Sequence, residues 1–186
     1  MSSPDSDEAR AARGDRAAFS ALMASTMGDL HRFIRRYVGE DSEAHDLLQE
    51  TYTAAWLAIG RYDATRPFET WLRTIAVNKC RDWARKRAVR RVISGITGLD
   101  GREVSDLPEP APSGEVMIDD RRRLARVDRA LAVMPDSLKA PLLLAVMEGR
   151  SQGEIAAILG VSVKTVETRI ARARRKLAAA VGDRVD

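Results

Sequence analysis

The sequence predicts an all-α protein made of two small helical domains joined by a flexible acidic linker. Three features of the chain predict this. Apolar residues make up 45% of 186 residues while aromatics make up only 5%, so a core must be built from Ala, Leu, Val and Ile, a set that suits helices. Apolar positions recur at steps of three and four, with no strand alternation and no hairpin signal. Charge is laid out in blocks, with an acidic, Pro- and Gly-bearing stretch between two basic ones.

The first domain is expected over residues 1–90. "DRAAFSALMAST" starts a helix after Gly14, with Asp15 as N-cap, and "DLHRFIRRYV" follows and ends at Gly39. A further helix starts at Asp41 or Ser42, runs to Ile59 and stops at Gly60. Its apolar stripe is Ala44, Leu48, Tyr52, Ala55 and Ile59. Then comes "RPFETWLRTIAVNKCRDWARKR", Arg66 to Arg87. Residues 91–116 form the expected linker. The stretch 92–120 has a net charge of −6 and holds Pro108, Pro110 and Pro112 with Gly95, Gly98, Gly101 and Gly114. The second domain is expected over 117–186. Leu124, Val127, Leu131 and Met134 line its first helix, which stops at Pro135. "SLKAPLLLAVMEG" makes the next, with Pro141 in the first turn, where proline is tolerated.

The totals exclude several classes of function. The single cysteine, Cys80, rules out an internal disulfide and fits a reducing compartment. His31 and His45 show no metal-ligand spacing, so no metal and no cofactor is expected. No apolar run reaches the roughly 20 residues of a membrane span, and the polar start of the chain is no secretory signal. A cytoplasmic protein is expected. No phosphate-binding Gly-rich loop or nucleophile constellation is present, so neither catalysis nor a small-molecule substrate is indicated. The formal net charge of +4, concentrated in blocks, points to a polyanion partner.

The end of the chain reads as a helix-turn-helix. Ser151 and Glu154 fit a capping box, "QGEIAAILG" buries Ile155, Ile158 and Leu159, and Gly160 ends that helix. Ser162 caps another helix two residues later, which is the spacing of a DNA-reading pair of helices. Its inner stripe is Val163, Val166, Ile170, Ala173 and Leu177. The half that would enter a major groove presents Lys164, Thr165, Glu167, Thr168 and Arg169, all able to reach base edges. Arg172, Arg174, Arg175 and Lys176 suit phosphates.

The stretch from Arg66 to Arg87 divides on a helical wheel at roughly 100° per residue. Leu72, Ala76, Cys80 and Trp83 share one arc, a core face on which Cys80 is a small buried hydrophobe. Thr74, Asn78, Arg81 and Arg85 share another, a polar face suited to an unpaired strand. Trp71 lies on the border, open to packing or to stacking on a base. Phe68 is equally open to stapling the helix start or to contacting DNA.

"VMPDSLKAPLLLAVMEGRSQGEIAAILGVSVKTVETRIARARRKL", residues 133–177, resembles the C-terminal domain of extracytoplasmic-function sigma factors of the sigma-70 family. "GDRAAFSALM", "DLLQETYTAAW" and "RPFETWLRTIAVNKCRDWARKR" are similar to successive parts of sigma region 2. The resemblance implies a two-domain alternative sigma factor, with a region 2 helical bundle, a region 4 helix-turn-helix, and core RNA polymerase and promoter DNA as partners. It places Asp46, Leu47, Gln49 and Glu50 against the clamp helices of the largest polymerase subunit. It assigns Arg61, Phe68, Trp71, Asn78, Lys79, Arg81 and Arg85 to the minus-ten element. It assigns Lys164, Thr165, Glu167, Thr168, Arg169, Arg172 and Arg175 to the minus-thirty-five element. Glu167 departs from the family pattern, which has a small or basic residue there. The resemblance also implies control in trans by an anti-sigma factor of the kind often anchored in a membrane. It implies as well a linker that can lie in a basic channel of the polymerase, through Asp100, Glu103, Asp106 and Glu109.

Overall fold

Asp15 and Gly14 start the first long helix. The protein is seen here in a computed structural model, which describes residues 6–97 and 115–182. A short helix α1 (Asp7–Ala12) is capped by Ser6. Gly14, at φ +89, turns the chain into α2 (Arg16–Val38). The Asp15 carboxylate accepts from the Ala17 and Ala18 amides at 2.9 and 3.1 Å and from Arg10 Nη2 at 2.6 Å. The Ala18 amide and then Arg10 hold this carboxyl below the usual carboxylate range.

The two helices expected over 15–38 are one helix of 23 residues. It continues through Gly28, whose presence in a helix costs only about 1 kcal/mol relative to Ala. Leu22, Thr26, Leu30, Phe33, Ile34 and Tyr37 lie buried along it as one stripe that crosses the glycine. Gly39, at φ +87, ends it, and α3 (Asp41–Ala58) folds back alongside. The helix starts at Asp41, one of the two expected positions. Glu40 is the N-cap without a side-chain bond, and the Ser42 hydroxyl donates to Glu40. A single 3₁₀ turn, Ile59–Arg61, replaces the expected last residue of α3. Tyr52 of α3 places its hydroxyl 2.8 Å from Thr26 Oγ1 and 3.2 Å from the Met23 carbonyl, so the polar tip of a buried ring is satisfied.

Helix α4 (Phe68–Thr97) crosses α2 and α3 and closes this half around Leu72, Ala76, Val77 and Cys80. It runs past residue 90 and takes in the first seven residues of the stretch expected as linker. The rest of that linker, including Asp100, Glu103, Asp106 and Glu109, lies outside the described residues.

The second half begins with α5 (Glu115–Ala132), followed by α6 (Asp136–Met147), α7 (Gln152–Leu159) and α8 (Val163–Gly182). Leu131, Met134, Leu138, Leu142, Leu144, Ile155, Ile158, Val166, Ile170 and Ala173 fill its core. Three expectations change here. Pro141 is the sixth residue of α6, beyond the first turn. The lost N–H is tolerated where Pro141 and its neighbours Leu142, Leu143 and Leu144 are all buried. Leu124 is exposed on α5, and Val163 is 48% exposed at the start of α8, before the helix has turned its face inward. No strand occurs among the described residues.

The halves pack on each other through polar groups that periodicity does not reveal. Arg73 of α4 is 5% exposed, its Nε donating to Glu148 Oε2 at 2.8 Å and lying 2.7 Å from Oε1, where the alignment is poorer. Its guanidinium also sits 5.6 Å from the Phe33 ring centre. Lys139 of α6 donates to the Tyr37 carbonyl at 3.3 Å and stands over the Tyr37 ring. The Tyr37 hydroxyl donates to Asp136 at 2.9 Å, and burial, then the Asp136 charge, push its pKa well above the ordinary value. Arg150 reaches Glu69 at 3.3 Å and Arg36 reaches Asp128 at 2.5 Å.

Removing one partner of a buried ion pair strands the other, at a cost of about 3 kcal/mol or more. Arg73→Ala is therefore expected to lower the urea midpoint and to enlarge the particle in small-angle scattering as the halves separate. An R73A chain of unchanged size and stability would show that the pair does not hold them together.

Candidate nucleic-acid and polymerase interface

Helix α7 starts on a complete capping box. The Glu154 amide donates to Ser151 Oγ at 3.3 Å, and Glu154 Oε2 accepts from the Ser151 amide at 2.9 Å. The Ser151 hydroxyl and amide, then Arg150, hold the Glu154 carboxyl below its usual range. Gly160 ends α7 in the left-handed conformation at φ +65. Ser162 Oγ then accepts from the Thr165 amide at 3.2 Å, which caps α8. Val166, Ile170 and Ala173 seat α8 against the core, leaving Lys164, Glu167, Thr168, Arg172 and Arg175 exposed on its outer side. Arg169 is half-buried. Thr165 is half-buried too, its hydroxyl 2.8 Å from Ser162 Oγ. The Thr168 hydroxyl donates to the Lys164 carbonyl. Glu167, the departure from the family pattern, pairs with Lys164 Nζ at 2.9 Å. The outer face is thus less negative at this point than Glu167 alone would make it.

On α4, Asn78 and Arg85 are exposed, while Thr74, Lys79 and Arg81 are half-buried. Thr74, Asn78, Arg81 and Arg85 run along the side of the helix away from Leu72, Ala76 and Cys80, whereas Lys79 lies on the flank that meets α3. Arg85 is tied to Asp82 of its own helix at 3.0 Å. Arg61 is exposed on the turn before α4. Phe68 is 3% exposed and meets Tyr62 and Phe19 edge-on at 5.6 and 6.2 Å. Of its two expected roles, packing at the helix start is the one the fold shows, and the DNA contact has no ring face available. Trp71 is half-buried against Tyr62 at 5.0 Å and Phe68 at 5.7 Å. Trp83 reaches the core only in part. Its indole N–H donates to Glu43 at 2.7 Å, and Arg87 covers its ring at 5.1 Å. Burial pushes the Cys80 thiol up to about 12, so it stays protonated, as a packing residue would.

On α3, Asp46, Gln49 and Glu50 form an exposed acidic edge. Leu47 does not join them, because it points inward as one of the buried residues of the helix. Glu50 bonds Lys79 of α4 at 3.1 Å, so the acidic edge and the basic face of α4 meet in one ion pair. Arg73 was not among the expected site residues. The wheel holds a signal for it, since roughly 100° of rotation from Leu72 sets this arginine beside Cys80 on the apolar arc.

The fold thus sets a basic helix in a bundle of four helices beside a helix-turn-helix, two elements of nucleic-acid-binding type. The sequence patterns of sigma-70 region 2 and sigma-70 region 4 match residues 22–90 and 124–177. RNA polymerase sigma factor CnrH of Cupriavidus metallidurans is 37% identical over 183 residues, covering 96% of each chain. RNA polymerase sigma factor NccH of Alcaligenes xylosoxydans xylosoxydans is 36% identical over the same share. The ECF RNA polymerase sigma factor SigE of Mycolicibacterium smegmatis is 32% identical over 89% of this chain and 63% of its own. The solved structure of CnrH in complex with the cytosolic domain of CnrY superposes at a TM-score of 0.70, with 33% identity over 96% of this chain and 97% of that one. The chain belongs to the sigma-70 family, as an extracytoplasmic-function RNA polymerase sigma factor.

Loss of an N-cap hydroxyl costs about 1 kcal/mol. Ser151→Ala is accordingly expected to lower urea stability by that amount and to weaken binding to minus-thirty-five DNA in fluorescence anisotropy. Ser151→Asp, which restores a capping oxygen, is expected to recover most of both.

Proposed function

We propose that the chain directs promoter-specific initiation by reading DNA with α8 and α4 while the Asp46–Glu50 edge of α3 holds core RNA polymerase. The observation that carries this is the pairing of two exposed basic helix faces on separate bundles with an acidic edge on a third helix. Acidic side chains suit a basic partner surface through charge complementarity. In the major groove, Lys164, Thr168 and Arg169 would reach bases, and Arg172 and Arg175 would reach phosphates. Asn78, Lys79, Arg81 and Arg85 would track the strand that opens at the minus-ten element. Arg61 would stand at the edge of that track, and the part-exposed side of Trp71 is its available stacking surface. Base stacking worth about 1–3 kcal/mol per base can hold transiently opened positions without nucleotide hydrolysis. The chain then performs no reaction of its own and works in the cytoplasm as a binding factor, with residues 1–90 and 117–186 as its functional units.

Both readings cannot occur at once in the closed arrangement. Elements named minus-ten and minus-thirty-five are roughly 25 base pairs apart, or about 85 Å at 3.4 Å per pair. A closed particle of this length has a radius of gyration of only about 16 Å. The 17 residues between Thr97 and Glu115 span at most roughly 60 Å when extended, enough to carry the halves apart. Engagement by polymerase therefore includes breaking the Arg73–Glu148 and Tyr37–Asp136 contacts. A partner that holds the halves keeps the factor silent, the part we assign to an anti-sigma factor. The relative CnrH is known in complex with the cytosolic domain of CnrY, and a partner that contributes a cytosolic domain is in keeping with a membrane anchor.

Run-off transcription tests the assignment directly. Core polymerase is expected to give a discrete promoter-dependent transcript only with the chain present. Asp46→Lys is expected to lower core binding in a pull-down by an order of magnitude with unchanged helix content. A D46K chain that binds core normally would remove the α3 edge from the interface.

A further inference from the structure

Sequence spacing shows no metal-ligand pattern, but folding creates one at the α2–α3 turn. Gly39, at φ +87, folds α3 back so that its first turn faces the last two turns of α2. Asp41 and His45 are one turn apart on α3 and share a face. His31 comes across from α2, and its ring stacks on that of His45 with centres 4.5 Å apart and planes inclined by 29°. Both rings aim the same nitrogen at one carboxylate. His45 Nε2 is 3.4 Å from Asp41 Oδ2, and His31 Nε2 is 3.8 Å from Asp41 Oδ1. One potential ligand atom from each of the three lies within 4.8 Å of the others. His31 Nε2 is buried and has no hydrogen-bond partner, although the side chain as a whole is 25% exposed. A buried polar atom left unsatisfied carries a desolvation penalty that a coordinate bond would remove.

We propose that His31, Asp41 and His45 form a binding site for a divalent first-row transition ion of the zinc class, with water completing the coordination. Two imidazoles and a carboxylate are a recurrent ligand set for such ions, and an open fourth position is normal where only three protein ligands exist. At bond lengths of about 2.0–2.2 Å, tetrahedral ligand atoms sit roughly 3.4 Å apart. The Asp41–His45 separation already meets this, and the remaining distances, none above 4.8 Å, close by about 1.4 Å or less through rotation of the exposed Asp41 and His45 side chains. Asp41 Oδ1 also lies 3.2 Å from Arg35 Nε in an ion pair. That contact orients the carboxylate from outside the ligand shell, while its charge weakens the site, so binding is expected to be reversible rather than structural. Hard oxygen-seeking ions such as magnesium do not suit two imidazole nitrogens. The ion would pin α2 to the first turn of α3, five residues before Asp46.

The test uses the full chain, free of any affinity tag and stripped with a chelator, titrated with cobalt(II) as the spectroscopic probe. A saturable one-to-one rise of tetrahedral d–d absorption, displaced by zinc, is the expected result. At a hundredfold excess over Kd, zinc is expected to raise the melting temperature by roughly 5–10 °C. His45→Gln, at an exposed position that carries no core packing, is expected to abolish the signal with unchanged circular dichroism, and His31→Gln and Asp41→Asn to weaken it at least tenfold. Absence of saturable binding, or binding indifferent to H45Q and H31Q, would overturn the site. Neither result depends on how the chain engages polymerase or DNA.

Discussion

The buried contact between Arg73 and Glu148 is the constraint on which the shape of this sigma factor depends. An arginine on the inner side of α4 can be buried only if a carboxylate meets it. The carboxylate comes from the end of α6, in the other half of the chain. Arg150, Glu69, Tyr37, Asp136 and Lys139 extend the same polar seam. The seam is unlike the hydrophobic core of the two halves, which is almost wholly aliphatic and aromatic. A polar seam can take water in place of its partners, which an apolar core cannot. This division suits a molecule whose halves must separate while each remains intact.

The same logic accounts for where charge is placed. Glu50 and Lys79 tie the acidic edge of α3 to the basic face of α4. Lys164 and Glu167 pair on the recognition helix. Such exposed pairs contribute little to stability, so exchanging them for polymerase or phosphate contacts is inexpensive. Where charges are buried, the reverse holds, and the pair acts as a latch.

Much of this was legible in the chain. The capping box at Ser151 and Glu154, Gly160 and Ser162 lie within a dozen residues, so local rules placed α7 and α8. The inner arc of α4 followed from Leu72, Ala76 and Cys80, because helical period and burial agree there. What stayed hidden depends on partners distant in sequence. Phe68 could staple or stack until Tyr62 and Phe19 enclosed it. Leu47 sits among surface residues in sequence but faces the core. The break expected near Gly28 disappeared because a continuous buried stripe outweighs one glycine. Pro141 could be read as a first-turn proline only while the start of α6 was unplaced. Arg73 stands on the apolar arc of the wheel, but its partner Glu148 is 75 residues away, and Lys139 and the His31–His45 stack are products of tertiary folding that no local pattern signals.

The central claim is that a closed particle, latched through Arg73 and Glu148, opens when it becomes active. It is tested most directly by a distance measured between the halves. Spin labels on the exposed positions Leu57 and Val146, in a Cys80→Ala background, report that distance in the free chain and after addition of core polymerase. A single short distance that lengthens by tens of ångströms with core, and that is already long in R73A, is the predicted result. A distance that stays short in the polymerase-bound chain would contradict the account.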